Sequence, residues 1–346
     1  MLHASTPPRA VILGCAGETL SAAERHFFAD ADPLGFVLFR RNCHEPAQVH
    51  DLVAAMRDAV GRSDAPVLID QEGGRVARLR PPHWRRYPSA AEISALPPPY
   101  AAEAAWLGAR LIADDLAVLG ITVDCAPVLD VPTVGADPVI GDRAYGTEAA
   151  TIARLGRAVC DGLLAGGVLP VIKRIPGHGR AQVDSHHGLP RVETDRAELA
   201  ASDFAPFRAL ADMPWAMTAH IVFSGIDPTA PATLSPRVIS DIIRGEIGFG
   251  GVLVSDDVSM GALQGGLGER TSGAFAAGCD LVLHCNGDCD EMTAVVEAAA
   301  PMTAATMERV TRGETLRRRS AQPFDRAEAE ARFDALLADM PEPRSR

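Results

Sequence analysis

Eight short apolar, β-branched runs recur along this chain, at residues 10–14, 35–39, 66–69, 121–127, 169–173, 215–219, 251–255 and 280–284. Runs with no polar alternation fit strands buried on both faces, as in a parallel sheet. Helix-compatible segments lie between them, at 21–31, 46–60, 101–119, 149–165, 195–210, 236–247, 272–277 and 288–300. Helix start signals accompany several, including Thr19-Leu-Ser-Ala22 and Ser235-Pro236. Eight strands alternating with eight helices predict a single (β/α)8 TIM-type barrel with a C-terminal helical extension. The barrel is expected over residues 1–300. Residues 301–346 are expected to form one or two polar helices packed on it rather than a separate domain. An open doubly wound sheet would use the same elements, but Gly14-Cys-Ala-Gly17 is not the Gly-rich turn a dinucleotide fold places after its first strand.

A net charge of −12 argues against nucleic acid as a partner. No apolar stretch approaches the roughly 20 residues of a membrane span. The apolar stretch before Cys15 is too short for a signal peptide. The seven cysteines form no CxxC pair, and Cys125, Cys160, Cys279 and Cys285 fall in apolar runs and read as small core residues in a reducing compartment. The chain is therefore expected to be soluble and cytoplasmic, and to act as a monomer.

A barrel puts its chemistry at the C-terminal ends of its strands. The polar residues at those ends are Arg40-Arg-Asn42, Asp70-Gln-Glu-Gly-Gly-Arg75, Asp130 with Ile140-Gly-Asp-Arg143, Lys173-Arg174, His220, Asp256-Asp257 and His284-Cys-Asn286. Lys173 is the single lysine against 32 arginines. A chain that uses Arg wherever a cation suffices, yet keeps one Lys at a strand end, points to a function for that residue. Two adjacent carboxylates diverge in an extended strand, so one of Asp256 and Asp257 should face the pocket, and spacing does not say which. In Asp184-Ser-His186 the i, i+2 spacing sets a carboxylate beside an imidazole, the arrangement a general acid/base uses at neutral pH. Gly177 and Gly179 suggest that the loop carrying them is mobile. The clustered histidines raise a metal site, but the first strand end lacks the His ligands a metal-dependent barrel hydrolase would place there, so neither metal nor cofactor is expected.

These residues carry a resemblance. Lys173-Arg-Ile-Pro-Gly-His-Gly179, followed by Asp184-Ser-His186 and Gly188-Leu-Pro190, resembles the signature of bacterial NagZ-type β-N-acetylglucosaminidases of glycoside hydrolase family 3. The similarity extends through 35–42, Asp70-Gln-Glu-Gly-Gly-Arg75, Ala126-Pro-Val-Leu-Asp130, Ile140-Gly-Asp-Arg143, Met217-Thr-Ala-His220, Pro231-Ala-Thr-Leu-Ser235 and Ser255-Asp-Asp-Val-Ser-Met260. It implies that Asp256 is the nucleophile that forms a covalent glycosyl-enzyme. It also implies that His186, partnered by Asp184, is the acid/base, and that Asp70, Arg78, Arg143 and Lys173 hold the N-acetylglucosamine ring. Arg174 takes a substrate-contacting position where the family usually has His, and His187 stands where the family usually has an apolar residue. The implied reaction is retaining removal of terminal N-acetylglucosamine from peptidoglycan-derived fragments, the substrate being a small saccharide or muropeptide. The rival chemistries are a phosphorylase on the same site and a Schiff-base aldolase using Lys173.

Overall fold

The computed structural model describes residues 7–185 and 188–338. Eight parallel strands close into a barrel. They are β1 (Arg9–Leu13), β2 (Pro33–Leu38), β3 (Val67–Ile69), β4 (Val123–Asp124), β5 (Leu169–Ile175), β6 (Trp215–Thr218), β7 (Val252–Asp257) and β8 (Leu281–His284). Each pairs with its sequence neighbour, and β8 returns to β1 through Val11↔Val282 to Leu13↔His284.

The strands bury both faces. Ile12, Val171, Val252, Val254 and Leu281 belong to a cluster that fills the barrel, while Val11, Leu13, Ile172 and Leu253 pack toward the helices. Successive side chains point to opposite faces, so every strand but the two-residue β4 contributes to both clusters. This is the physical origin of the unbroken apolar runs in the sequence.

Helices α1 (Ala22–Ala31), α2 (Pro46–Ala59), α3 (Pro98–Ala117) and α4 (Ala149–Ala165) surround the first half of the barrel. Ser21 opens α1 with a capping box, its hydroxyl accepting from Glu24 N and Glu24 accepting from Ser21 N. The predicted helix over 195–210 is two short pieces, α5 (Arg196–Ala201) and α6 (Phe204–Ala209), because Asp203 turns inward between them to take Arg180 at 2.7 Å. The ring continues with a π-wound segment Val238–Glu246, α7 (Leu267–Ala277) and α8 (Cys289–Ala298). Two further helices, α9 (Ala304–Ser320) and α10 (Arg326–Ala338), lie against α4 and α3 respectively. Phe333 of α10 sits over Gly108, where a Cβ would come within 3.2 Å of its ring.

Strand β5 runs two residues past the apolar stretch that announces it, through Arg174 and Ile175, with a cis peptide between Lys173 and Arg174. All seven cysteines are free, and six are buried. No helix among the described residues is long and apolar enough to cross a membrane.

Candidate active site

Lys173 lies deepest. Its side chain is 1% exposed, and its ammonium donates to Asp70 Oδ1 and lies as close to Glu72 Oε1, each at 2.7 Å. Burying a lone ammonium would be costly, and these two carboxylates offset that cost. They hold the lysine charged: burial would lower its pKa, but Asp70 and Glu72 raise it above its ordinary value.

The same carboxylates take two arginines. Arg78 donates to Asp70 Oδ2 at 2.9 Å, and Arg143 grips Glu72 with two hydrogen bonds of 2.9 and 2.8 Å. Burial pushes both acids up, but the surrounding cations win. Glu72 falls to about 2 and Asp70 lies well below the usual carboxylate range. Glu72 enters through a small hairpin, Gln71–Gly73 against Val76–Ala77, which folds the chain back over the end of β3. Gln71 fixes that hairpin, its side chain accepting from Arg78 N and Leu79 N and donating to Leu79 O.

Opposite this cluster, Asp256 is the last residue but one of β7. Its Oδ2 accepts from Arg174 Nε at 2.5 Å and its Oδ1 from the Asp257 peptide N–H at 2.9 Å. Burial would raise its pKa, but Arg174 and His220 outweigh burial and hold it below the usual range. The neighbouring acid does something else: Asp257 accepts from Ser259 N and Ser259 Oγ, stapling the turn that leaves the strand. His220 braces the same point, with Nε2 3.0 Å from the Asp257 carbonyl oxygen. Burial lowers its pKa, which keeps the imidazole neutral and suits it to that brace. Of the two aspartates that spacing alone left open, Asp256 is the one held inward by a barrel arginine.

The loop after β5 forms the third wall. Asp130, in the loop that follows β4, accepts from the Arg174 and His178 peptide N–H groups and so anchors the loop's start. Burial raises Asp130 to about 6, against the pull of Arg174. Gly179 passes so close to Val131 that a Cβ would lie 2.0 Å from its carbonyl oxygen, which is why the segment needs glycine there. His178 is buried, its pKa lowered to about 3 by desolvation and by Arg174, and its neutral ring lies 3.2 Å from Ser185 Oγ. Ser185 O in turn accepts from Ala262 N. The glycines suggest a mobile loop, yet Ser185 is buried and held from both sides.

Asp70, Arg78, Arg143, Arg174, Asp184 and Asp256 line one cleft of about 310 Å³. Lys173 lies beneath it. His186 and His187 fall outside the described residues, so their side chains are not placed. Phe39, Met217 and Met260 supply apolar wall, and Arg78 lies over the Phe39 ring at 4.9 Å. The residue that sequence reasoning missed is Glu72. The signal was present, since Asp70 and Glu72 stand at i, i+2 after a strand, where two side chains share one side. Among the described residues no three His, Cys, Asp or Glu side chains are grouped to hold a metal ion.

Residues 13–316 match the family model described as the glycosyl hydrolase family 3 N-terminal domain. A β-hexosaminidase of Alkalilimnicola ehrlichii is 38% identical over 283 residues, which cover 80% of this chain and 80% of that protein. The structure of NagZ from Neisseria gonorrhoeae in complex with N-trifluoroacetyl-D-glucosamine is 31% identical, with a TM-score of 0.85 over 96% of this chain and 99% of that one. A family 3 β-N-acetylglucosaminidase from Paenibacillus sp. is 33% identical with a TM-score of 0.83. That protein is longer: the match covers 94% of this chain but 66% of the Paenibacillus chain.

Proposed function

The chain belongs to glycosyl hydrolase family 3 and is a glycoside hydrolase, and from that premise we propose that it is a retaining exo-β-N-acetylglucosaminidase acting on peptidoglycan-derived fragments. The observation that carries the reading is Asp256: a carboxylate kept ionised at a strand end, in one cleft with Asp184 and with a cationic wall opposite. The relatives' names supply the sugar.

In this reading Asp256 attacks the anomeric carbon as the leaving oxygen takes a proton from His186, whose ring Asp184 orients. Water then reverses the sequence, with His186 accepting its proton. An ionised carboxylate both stabilises and captures the oxocarbenium-like transition state. A histidine that has given up its proton is neutral, so it sets no second anion beside the departing group. Asp70, Arg78, Arg143 and Arg174 meet the sugar at the cleft surface, where charge-assisted hydrogen bonds to hydroxyl and acyl oxygens fix the ring. Lys173 is buried beneath them, and its effect on the sugar runs through Asp70 and Glu72. The barrel of residues 1–300 would carry the whole site, with residues 301–346 as its packing extension. The chain would act as a cytoplasmic monomer on small saccharides or muropeptides.

The test is release of p-nitrophenol from β-glycosides of N-acetylglucosamine and glucose, with and without phosphate. The reading expects the N-acetyl sugar to be favoured by on the order of 100-fold or more in kcat/KM, with free sugar as product in either buffer. Equal turnover of both sugars would remove the N-acetylglucosaminidase assignment. Phosphate-dependent formation of the sugar 1-phosphate would replace hydrolysis with phosphorolysis.

A further inference from the structure

Arg174 is the cleft residue whose geometry departs furthest from a simple sugar contact. Its side chain is 10% exposed, and its guanidinium approaches Asp256, whose side chain is 9% exposed, through Nε at 2.5 Å. The terminal nitrogens take no other partner among the described residues, and the side chain lines the cleft. Asp256 thus has one oxygen against a fixed cation and the other against a peptide N–H, and both contacts favour the carboxylate over its ester. Other charged or titratable groups surround it. His178 comes from the loop after β5, His220 from the end of β6 and Asp257 from β7 itself. Cys125 and Cys285 lie after β4 and β8, and Asp70 stands across the cleft. Of these, Arg174 alone is a permanent cation in contact with the carboxylate.

Resting on the proposed reading of Asp256 as nucleophile, we propose that Arg174 is a positioning residue that makes Asp256 a poor trap and a good leaving group, so that formation of the glycosyl-enzyme, not its hydrolysis, limits turnover. In the first step an Asp256 oxygen bonds to the anomeric carbon while the bond to the leaving oxygen breaks and that oxygen takes the proton of His186. The Asp256 charge in contact with Arg174 is consumed, so the cation opposes this step. In the second step water bonds to the anomeric carbon, its proton goes to His186, and the ester bond breaks with its electron pair returning to Asp256. The ion pair is regenerated, so the same cation assists.

Stopped-flow release from an activated aryl β-N-acetylglucosaminide tests this in the parent protein and in Arg174→Gln and Arg174→Lys. The parent should show no burst of phenolate. Arg174→Gln should show a burst approaching one equivalent per active site, a steady-state rate lower by on the order of 10- to 100-fold, and an acid limb of kcat/KM moved toward neutrality, by about 1–3 pH units if that limb is Asp256. Arg174→Lys keeps the cation and should fold like the parent, with a smaller burst and the acid limb near the parent's. A residue that merely supported the fold would lower activity without creating a burst. A burst in the parent, or no burst in either variant, would overturn the inference. Peptide mapping after a 5-fluoro-N-acetylglucosaminyl inactivator separates this from failure of the underlying reading. A label on Asp256 with no change of rate-limiting step defeats the role of Arg174 alone, and a label elsewhere defeats the nucleophile and this inference with it.

Discussion

The two sides of the cleft are built from the same residue types in opposite proportion. On the β3 side, three cations (Lys173, Arg78 and Arg143) surround two carboxylates, Asp70 and Glu72. On the β7 side, two carboxylates (Asp256 and Asp257) stand beside one cation, Arg174. Lys173 and Arg174 are sequence neighbours, yet one serves each side. An interlocked wall with surplus positive charge suits the oxygen-rich face of a sugar. A wall with surplus negative charge suits a carbon on which positive charge develops. The difference teaches that a cluster of buried ion pairs and a reactive carboxylate can be told apart by how completely the charge is compensated.

The largest effect should follow from breaking the under-compensated side. Asp256→Asn is expected to remove nearly all turnover, by about 10⁴-fold or more in kcat, and to lower Tm because it leaves Arg174 buried without its counter-charge, while the protein stays folded at the assay temperature. Retained activity would mean that the charge asymmetry has no catalytic meaning.

His186→Ala comes next, and its loss should depend on the leaving group. Substrates with poor leaving groups should lose about 10²–10⁴-fold, and activated aryl glycosides far less. Asp184→Asn should act in the same direction. Equal losses on both substrate types would count against His186 as proton donor, and the same comparison on His187→Ala would then show which histidine delivers the proton.

The compensated side should respond in stability as well as activity. Lys173→Arg keeps the charge but sets a larger planar group between Asp70 and Glu72, and kcat/KM should fall on the order of 10- to 100-fold. Lys173→Ala leaves two buried carboxylates facing each other and should destabilise the fold by about 3–5 kcal/mol near neutral pH. The pH dependence has a definite sign. Folded-state pKa values of Asp70 and Glu72 are depressed, so their stabilising contribution is full above about 4.5, the ordinary Glu value, and is lost as pH falls toward about 2. The Tm gap between parent and Lys173→Ala should therefore narrow on acidification below that point. A gap independent of pH would show that Lys173 acts through packing, not charge.

The smallest effect is expected beneath the cluster. Asp124 is buried and accepts Gln71 N at 2.9 Å, while its second oxygen has no partner among the described residues. Burial raises its pKa to about 7, against the pull of the Gln71 N–H and Lys173. A raised acid favours the folded state below its ordinary pKa of 3.8 and loses that advantage as pH rises through 7. Asp124→Asn keeps the acceptor without the charge, so it should raise Tm relative to the parent at pH 8 more than at pH 5, by a few degrees at most. The opposite ordering would mean that Asp124 belongs with the compensated carboxylates.

The barrel was legible because all eight strands are buried on both faces, which leaves apolar runs that no other segment of the chain imitates. The edges were less legible where polarity hides structure. Strand β5 continues through Arg174 because its side chain is neutralised by Asp256, a partner 82 residues away that no local pattern reveals. The helix over 195–210 breaks at Asp203 for the same kind of reason, a carboxylate drawn inward by Arg180. At the site, strand-end positions could be read from topology, which is why Asp70, Lys173, Arg174 and Asp256 stood out in the sequence. Arg143 and Asp184 came through the resemblance or their local motif. Glu72 was missed because its importance lies in two partners brought together only by the fold. Spacing alone left Asp256 and Asp257 open and only the resemblance chose Asp256; no local pattern shows their different hydrogen bonds, one to a barrel arginine, the other to the turn at Ser259.

The central claim is that Asp256, and not its neighbour, forms the bond to the sugar. A 5-fluoro-N-acetylglucosaminyl inactivator followed by peptide mass spectrometry reads it directly. The account predicts a single label on Asp256. A label on Asp257 would contradict it, because the carboxylate that staples Ser259 would then be the one that reacts.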